Sequence, residues 1–185
     1  RFKGSKFRED ALFYMAKNSH RFYSFEKAVR LYLSLARSFP KSTRVQYAVY
    51  TAAKLEEMQG NLDAAASLYR RYSSDYADRD DAAQALFSAG LVYEKMGDPA
   101  RQISLWKEFI GKHNGTKGAD SKVVEANLRL GDLYKAACKW KVAKKYYQTT
   151  ISEFESRALQ PETPTAAFAA KAAFELVDVD FRSYE

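Results

Sequence analysis

Residues 111–120, GKHNGTKGAD, gather three glycines, two lysines, a threonine and a histidine in ten positions. These are the residue types of a phosphate-cradling loop. Glycine backbone N–H groups wrap the phosphates, a lysine meets their charge and a hydroxyl holds a metal ion. Such a loop requires Gly, four residues, then Gly-Lys-Ser/Thr, after a buried strand. Here Gly115 is followed by Thr116, Lys117 and Gly118, and the preceding RQISLWKEFI reads as an amphipathic helix. Order and context both fail. The stretch reads instead as a connector between helices, with Gly111 and Gly115 ending one helix and Asp120 or Ser121 capping the next.

Little other material for catalysis is present. The two histidines, His20 and His113, lie far apart, and Cys138 is the only cysteine. No CxxC or HExxH spacing occurs, so neither a metal site nor a cofactor is predicted. With one cysteine no internal disulfide is possible. Carboxylate pairs such as Glu56-Glu57 and Asp80-Asp81 read as solvated faces and cap signals. The most apolar run, AAFAAKAAFELV, is broken by Lys171 and Glu175 and falls far short of the roughly 20 residues that span a bilayer. The chain opens RFKGSK, without methionine, and reads as a piece of a longer protein.

Charge is distributed unevenly. Residues 1–44 hold 11 Lys/Arg against 3 acids, and residues 112–145 hold 9 against 3; the other two stretches are acidic. Lys139, Lys141, Lys144 and Lys145 share one predicted helix whose packing stripe is Trp140, Ala143 and Tyr147, so these lysines are expected to face outward. Such lysines read first as an ordinary solvated face; the sharper reading is a patch for an acidic protein segment, an anionic lipid or a nucleic acid. No RNA- or DNA-binding signature accompanies it, which makes nucleic acid the weakest of the three.

The elements that must position any site come from a repeat. An alanine precedes an aromatic by four residues at Ala28/Tyr32, Ala65/Tyr69 and Ala143/Tyr147, with Gln102/Trp106 at the matching place between them. Ala16, Ala53, Gly90 and Gly131 form a small-residue column in the same register, and a turn column holds Tyr23, Gly60, Gly97 and Cys138. Small residues let helix backbones cross closely, and the aromatic fills the adjoining space. Gln102 breaks that rule and predicts a looser, partly exposed crossing. First helices are expected near 7–21, 43–58, 80–96 and 121–137. Second helices are expected near 25–38, 62–76, 99–113 and 139–156, and a closing helix near 163–182. Asn61 and Asp98 are the expected N-caps, with Pro99 in the first helical position.

AGLVYEKMGDP at 89–99 and LGDLYKAACKW at 130–140 resemble the tetratricopeptide repeat (TPR) family, and Pro40 matches that family's closing proline. The resemblance covers nearly the whole chain, with units longer than the family's 34 residues. Long units are similar to TPR proteins of bacterial envelopes, among them outer-membrane assembly lipoproteins, Tol-Pal-associated periplasmic factors and gliding-motility repeat proteins. It implies an all-α, right-handed TPR-like α-solenoid of four helix pairs plus a closing helix. That is one repeat domain over 1–185, with units near 9–42, 46–79, 83–116 and 124–157. Residues Phe168, Ala172, Leu176 and Val179 would lay the closing helix over the fourth unit. The resemblance to envelope proteins points to periplasm or cell envelope as a location, with the cytoplasm left open, since nothing in the chain itself fixes the compartment.

In that fold the first helices line a concave groove. Their residues not needed by the packing columns are Phe13, Lys17, Tyr47, Tyr50, Lys54, Phe87, Leu91 and Arg129, an apolar-aromatic strip edged by cations. Such a strip suits a partner's helix or extended peptide carrying acidic residues. Chaperone-binding members of the family clamp a terminal carboxylate, but the matching positions here hold Phe13, Lys17, Thr51, Gln84 and Ser88, so that clamp is absent. The expectation is a non-catalytic, monomeric scaffold that binds another protein within a bacterial assembly. The alternative is a spacer within a longer repeat array.

Overall fold

The computed structural model describes residues 6–157, 159 and 163–182. Among them are nine α-helices and no strand. In order they are α1 Lys6–Arg21, α2 Phe25–Ser38, α3 Val45–Met58, α4 Leu62–Asp75, α5 Ala82–Lys95, α6 Pro99–His113, α7 Asp120–Ala136, α8 Trp140–Ser156 and α9 Pro164–Arg182. They form two compact units, one reaching Gly97 and the other starting at Asp98.

The turn column has a backbone reason. Tyr23, Gly60, Gly97 and Cys138 all have positive φ, at 58°, 79°, 65° and 56°. In each case the N–H bonds the carbonyl three residues back, as in Tyr23 to His20 and Cys138 to Lys135. At three of the turns the next N–H reaches five residues back: Ser24 to Ser19, Asn61 to Glu56 and Lys139 to Tyr134. This pair of bonds is the Schellman ending, which satisfies carbonyls that the helix leaves open and requires one left-handed residue. Glycine adopts that conformation freely, whereas a side chain costs about 1–2 kcal/mol there. Cys138→Gly and Tyr23→Gly are therefore each expected to stabilise the fold by roughly 0.5–1 kcal/mol once glycine's greater unfolded entropy is subtracted, and so to raise the thermal midpoint. A lowered midpoint in both variants would refute the assignment.

Capping follows the sequence only in part. The Asp98 side chain accepts from the Arg101 N–H at 2.9 Å, with Pro99 opening α6. Asn61 stands at the N-cap of α4 without a side-chain cap bond, because its amide donates to Glu56 at 2.7 Å instead. Gly111 lies inside α6 rather than at its end; Asn114 is the C-cap and Gly115 and Gly118 take positive φ in the connector. Neither Asp120 nor Ser121 caps α7: its N-cap is Ala119, and Asp120 is already helical.

Helix lengths carry a further correction. The connectors 39–44, 76–81 and 114–119 match in length. The step from Gln102 to Ala143 is 41 residues, against 37 from Ala28 to Ala65 and from Ala65 to Gln102; the helices take up the difference, because α6 has 15 residues and α7 has 17, against 14 in α4 and α5. In α7 the added residues precede Gly131. In α8, also 17 residues, they follow Tyr147. Both additions lie at the same edge, where Arg157 pairs with Asp120 and Glu153 and bonds Asn114.

In the first unit Ala16, Ala28, Tyr32, Leu35, Ala48 and Ala52 pack into one buried cluster across α1, α2 and α3. In the second, Leu105, Trp106 and Phe109 of α6 are buried, as are Ala143 and Tyr147 of α8. Gln102 is only 7% exposed, so it is buried rather than partly exposed as expected; its stem lies on the same buried face of α6 as Trp106. Gly131 faces the Tyr147 ring, and a Cβ there would stand 2.5 Å from it. Helix α9 packs on α8 and α7 through Thr165, Ala169, Ala172 and Val179, with Phe168 and Leu176 half-buried beside them.

His113 is buried against Phe109, with ring centroids 5.1 Å apart and no hydrogen-bond partner for Nε2. Burial first, then Lys112, pushes its imidazole below the ordinary 6.5. The unfolded chain then takes up a proton near 6.5 that the folded chain resists. Stability is full above that pH and falls as pH drops below it. Urea midpoints at pH 7.5 and 5.5 should diverge, and His113→Phe should bring them closer; an unchanged gap would refute the account.

Candidate functional site

Helix α3 builds the site. Val45, Ala48, Val49, Ala52 and Ala53 turn into the core, which leaves Tyr47, Tyr50, Lys54 and Met58 along the opposite stripe at helical spacing. That stripe lines a recess of about 460 Å³, joined by His20 of α1 and Tyr72 of α4. A second recess of about 370 Å³ adds Lys17 and Arg21 of α1 and shares His20, Tyr47 and Met58 with the first. The shared residues make the two recesses one groove within the first unit.

The groove wall is braced. The Tyr50 ring meets Tyr69 edge-on at 5.7 Å and Tyr72 at 5.1 Å, and Tyr47 meets Phe13 at 5.8 Å. Tyr72 donates to Asp81 Oδ1 at 2.9 Å. Arg79 donates through Nε to Asp81 at 2.9 Å and to the Tyr72 hydroxyl at 3.1 Å, and through its terminal nitrogen to Gln46 at 3.0 Å. Burial, reinforced by Asp81, pushes the Tyr72 phenol up to about 12. Arg79 holds the Asp81 carboxyl below the usual carboxylate range, against the opposing effect of burial. Tyr50 is raised too, chiefly by burial. At neutral pH Tyr72 is thus a hydroxyl donor to an ionised Asp81.

The structure thus brings together Lys17, Tyr47, Tyr50 and Lys54. Tyr47 is 47% exposed and Lys17 and Lys54 are exposed, while Tyr50 is half-buried. Phe13 is half-buried under the Arg44 guanidinium, 4.9 Å from its centroid, with Lys17 Nζ 5.7 Å away. Phe87 does not join them: at 5% exposure it is core of α5, and Leu91 beside it is half-buried. Arg129, in the second unit, is committed to Glu125 at 2.6 Å and stacks 5.6 Å over the Trp106 ring, so it is not a free groove cation. Among the lysines expected to face outward, Lys144 instead pairs with Asp180 of α9 at 2.7 Å; Lys139, Lys141 and Lys145 are exposed.

Sequence reasoning passed over His20, Met58, Tyr72 and Arg79. Met58 extends the stripe at 47, 50 and 54 by one more turn, a signal available in the sequence. Arg79 sits in a connector, where no periodicity marks it. Among the described residues no group of three or more His, Cys, Asp or Glu is arranged to hold a metal ion. No helix among them is long and apolar enough to cross a membrane.

No protein-family model matches the sequence, and no curated protein matches it. Solved structures do resemble it. BtubC from P. vanneervenii superposes with a TM-score of 0.61 at 16% identity, covering 94% of this chain and 72% of that one. MamA gives 0.56 at 19% identity, covering 81% and 80%. A tetratricopeptide repeat protein from Parabacteroides merdae gives 0.62 at 13% identity; the match covers 95% of this chain, which spans 62% of that protein's chain. At these identities the likeness establishes the fold, an all-α solenoid of the TPR-like type.

Proposed function

We propose that residues 1–185 are a non-catalytic protein-interaction module that takes a helix or extended segment of a partner in the groove along α1 and α3. The observation that carries this reading is the pair of adjoining recesses that share Tyr47, one lined also by Tyr50 and Lys54 and the other by Lys17. Rigid aromatics in a recess are the groups that dominate protein–protein affinity, and exposed cations at the rim tune it. The long-unit resemblance supports a place in a bacterial envelope assembly. The test is affinity capture from the native organism, repeated with Tyr47→Ala and Tyr50→Ala. Each should weaken a captured partner by about 2 kcal/mol, roughly thirtyfold, with the helical circular dichroism unchanged. Lys141→Ser with Lys145→Ser should leave that partner bound. Loss through the lysine pair alone would move the site to the basic face.

A second reading, a spacer within a longer repeat array, is favoured by one observation. Helix α9 exposes Phe174, Val177 and Phe181, each by more than 70%, on one stripe. Under that reading the groove variants change no interaction, whereas charged substitutions on this stripe do.

A further inference from the structure

Resting on the groove reading, we infer that the occupant is an acidic internal segment: side-chain carboxylates flanking an aromatic or aliphatic anchor. The groove's charges point this way. Its two recesses are lined by Lys17, Arg21, Lys54 and Arg79 against the one carboxylate of Asp81. That carboxylate is held by Arg79 and Tyr72, and so offers nothing to a ligand cation. Acids nearby are engaged elsewhere: Glu9 accepts from Ser42, Asp10 pairs with Arg44, and Glu57 accepts from Tyr69 and pairs with Lys95. Arg21 and Lys54 make no ion pair among the described residues, so their charge is open to the groove.

The repeat register adds a second observation. Phe13 with Lys17 and Tyr50 with Lys54 occupy the same places one step apart, each an aromatic with a lysine one helical turn on. Two neighbouring first helices thus present the same aromatic–cation pair. At the next step the pair is Phe87 with Leu91, which has no cation, and its ring is buried. Charge recognition of this kind therefore runs over two repeats and stops. Carboxylates meeting Lys17 and Lys54 would bracket a side chain inserted beside Tyr47, Tyr50 and Met58. Such charge contacts at a wet rim weaken with salt, whereas the anchor does not.

The test uses a random glutamate–tyrosine copolymer, a lysine–tyrosine copolymer and poly-glutamate, titrated against the whole chain. We expect the glutamate–tyrosine copolymer to bind best, with affinity falling as salt rises. Lys17→Glu with Lys54→Glu should lower that affinity by at least about tenfold. Lys141→Glu with Lys145→Glu, on exposed residues outside the groove, should leave it within about twofold. Equal binding of the lysine–tyrosine copolymer overturns the inference, as does loss through Lys141 and Lys145 rather than through Lys17 and Lys54. If the lysine–tyrosine copolymer binds and Tyr47→Ala releases it, the groove stands and only its acid preference falls. If Tyr47→Ala affects neither copolymer, the groove reading itself falls.

Discussion

Gly131→Ala is expected to cost about 2 kcal/mol, against the ordinary trend that alanine stabilises a helix. Alanine in a helix interior gains roughly 0.5–1 kcal/mol over glycine. Here the new methyl would lie 2.5 Å and 2.6 Å from two ring carbons of Tyr147. That ring has nowhere to go: Tyr147 is fully buried, and its hydroxyl donates to Asp132 at 2.9 Å. Overpacking of this kind costs about 1–3 kcal/mol, and a longer side chain should prevent the second unit from folding. Tyr147→Leu makes room, so it should cost clearly less in the Gly131→Ala background than alone. Thermal or urea unfolding of the four variants gives the coupling. Additive costs would show that the crossing relaxes freely.

Removing residues 161–185 is expected to be the larger loss, roughly 5 kcal/mol. Full burial of a Val, Leu or Phe side chain contributes about 1.5–3 kcal/mol. Helix α9 buries Val179, Ala172, Ala169 and Thr165, with Phe168 and Leu176 half-buried, and its removal uncovers the faces of α7 and α8 beneath. It also strands Lys135, which pairs with Glu175 and Asp178, and Lys144, which pairs with Asp180 at 2.7 Å. Those half-buried pairs add less than the apolar burial. The truncated chain should melt earlier, aggregate and bind an apolar dye. An unchanged melting curve would mean that α9 carries no stability.

Most of the fold was legible because packing left a periodic trace. The columns Ala16, Ala53, Gly90, Gly131 and Tyr32, Tyr69, Trp106, Tyr147 are buried throughout, and a column can be read without knowing what it touches. The turn column was legible at Gly60 and Gly97. At Tyr23 and Cys138 the same left-handed backbone hides behind a side chain, and only register gives it away. What failed was what depends on a choice between partners. Asn61 could cap its helix or bond Glu56, and it does the second. Gln102 looked exposed because it is polar, yet its burial is set by its place in the stripe. In the site, Tyr47, Tyr50 and Lys54 were readable as α3 positions left over from packing. Phe87 holds the same leftover position and is buried, a difference that the periodicity of α5 does not mark. Arg79 acts from a connector, where spacing carries no information.

The longer fourth pair bears on how this chain tolerates insertion and deletion. Its first helix gained residues ahead of Gly131 and its second gained them after Tyr147, at one shared edge closed by Arg157 on Asp120. The increment is close to the 3.6 residues of one helical turn, so side chains beyond the new turn keep their faces. A single inserted residue would instead rotate everything on its far side by about 100° and turn a buried stripe toward water. Lengthening one helix alone would leave an overhang with no antiparallel neighbour to cover it. Length variation in such an array is therefore quantised and correlated. Changes ahead of a packed stripe are expected as near-whole turns, matched in both helices of a pair, whereas a single residue is tolerated only at a helix end, as in α6.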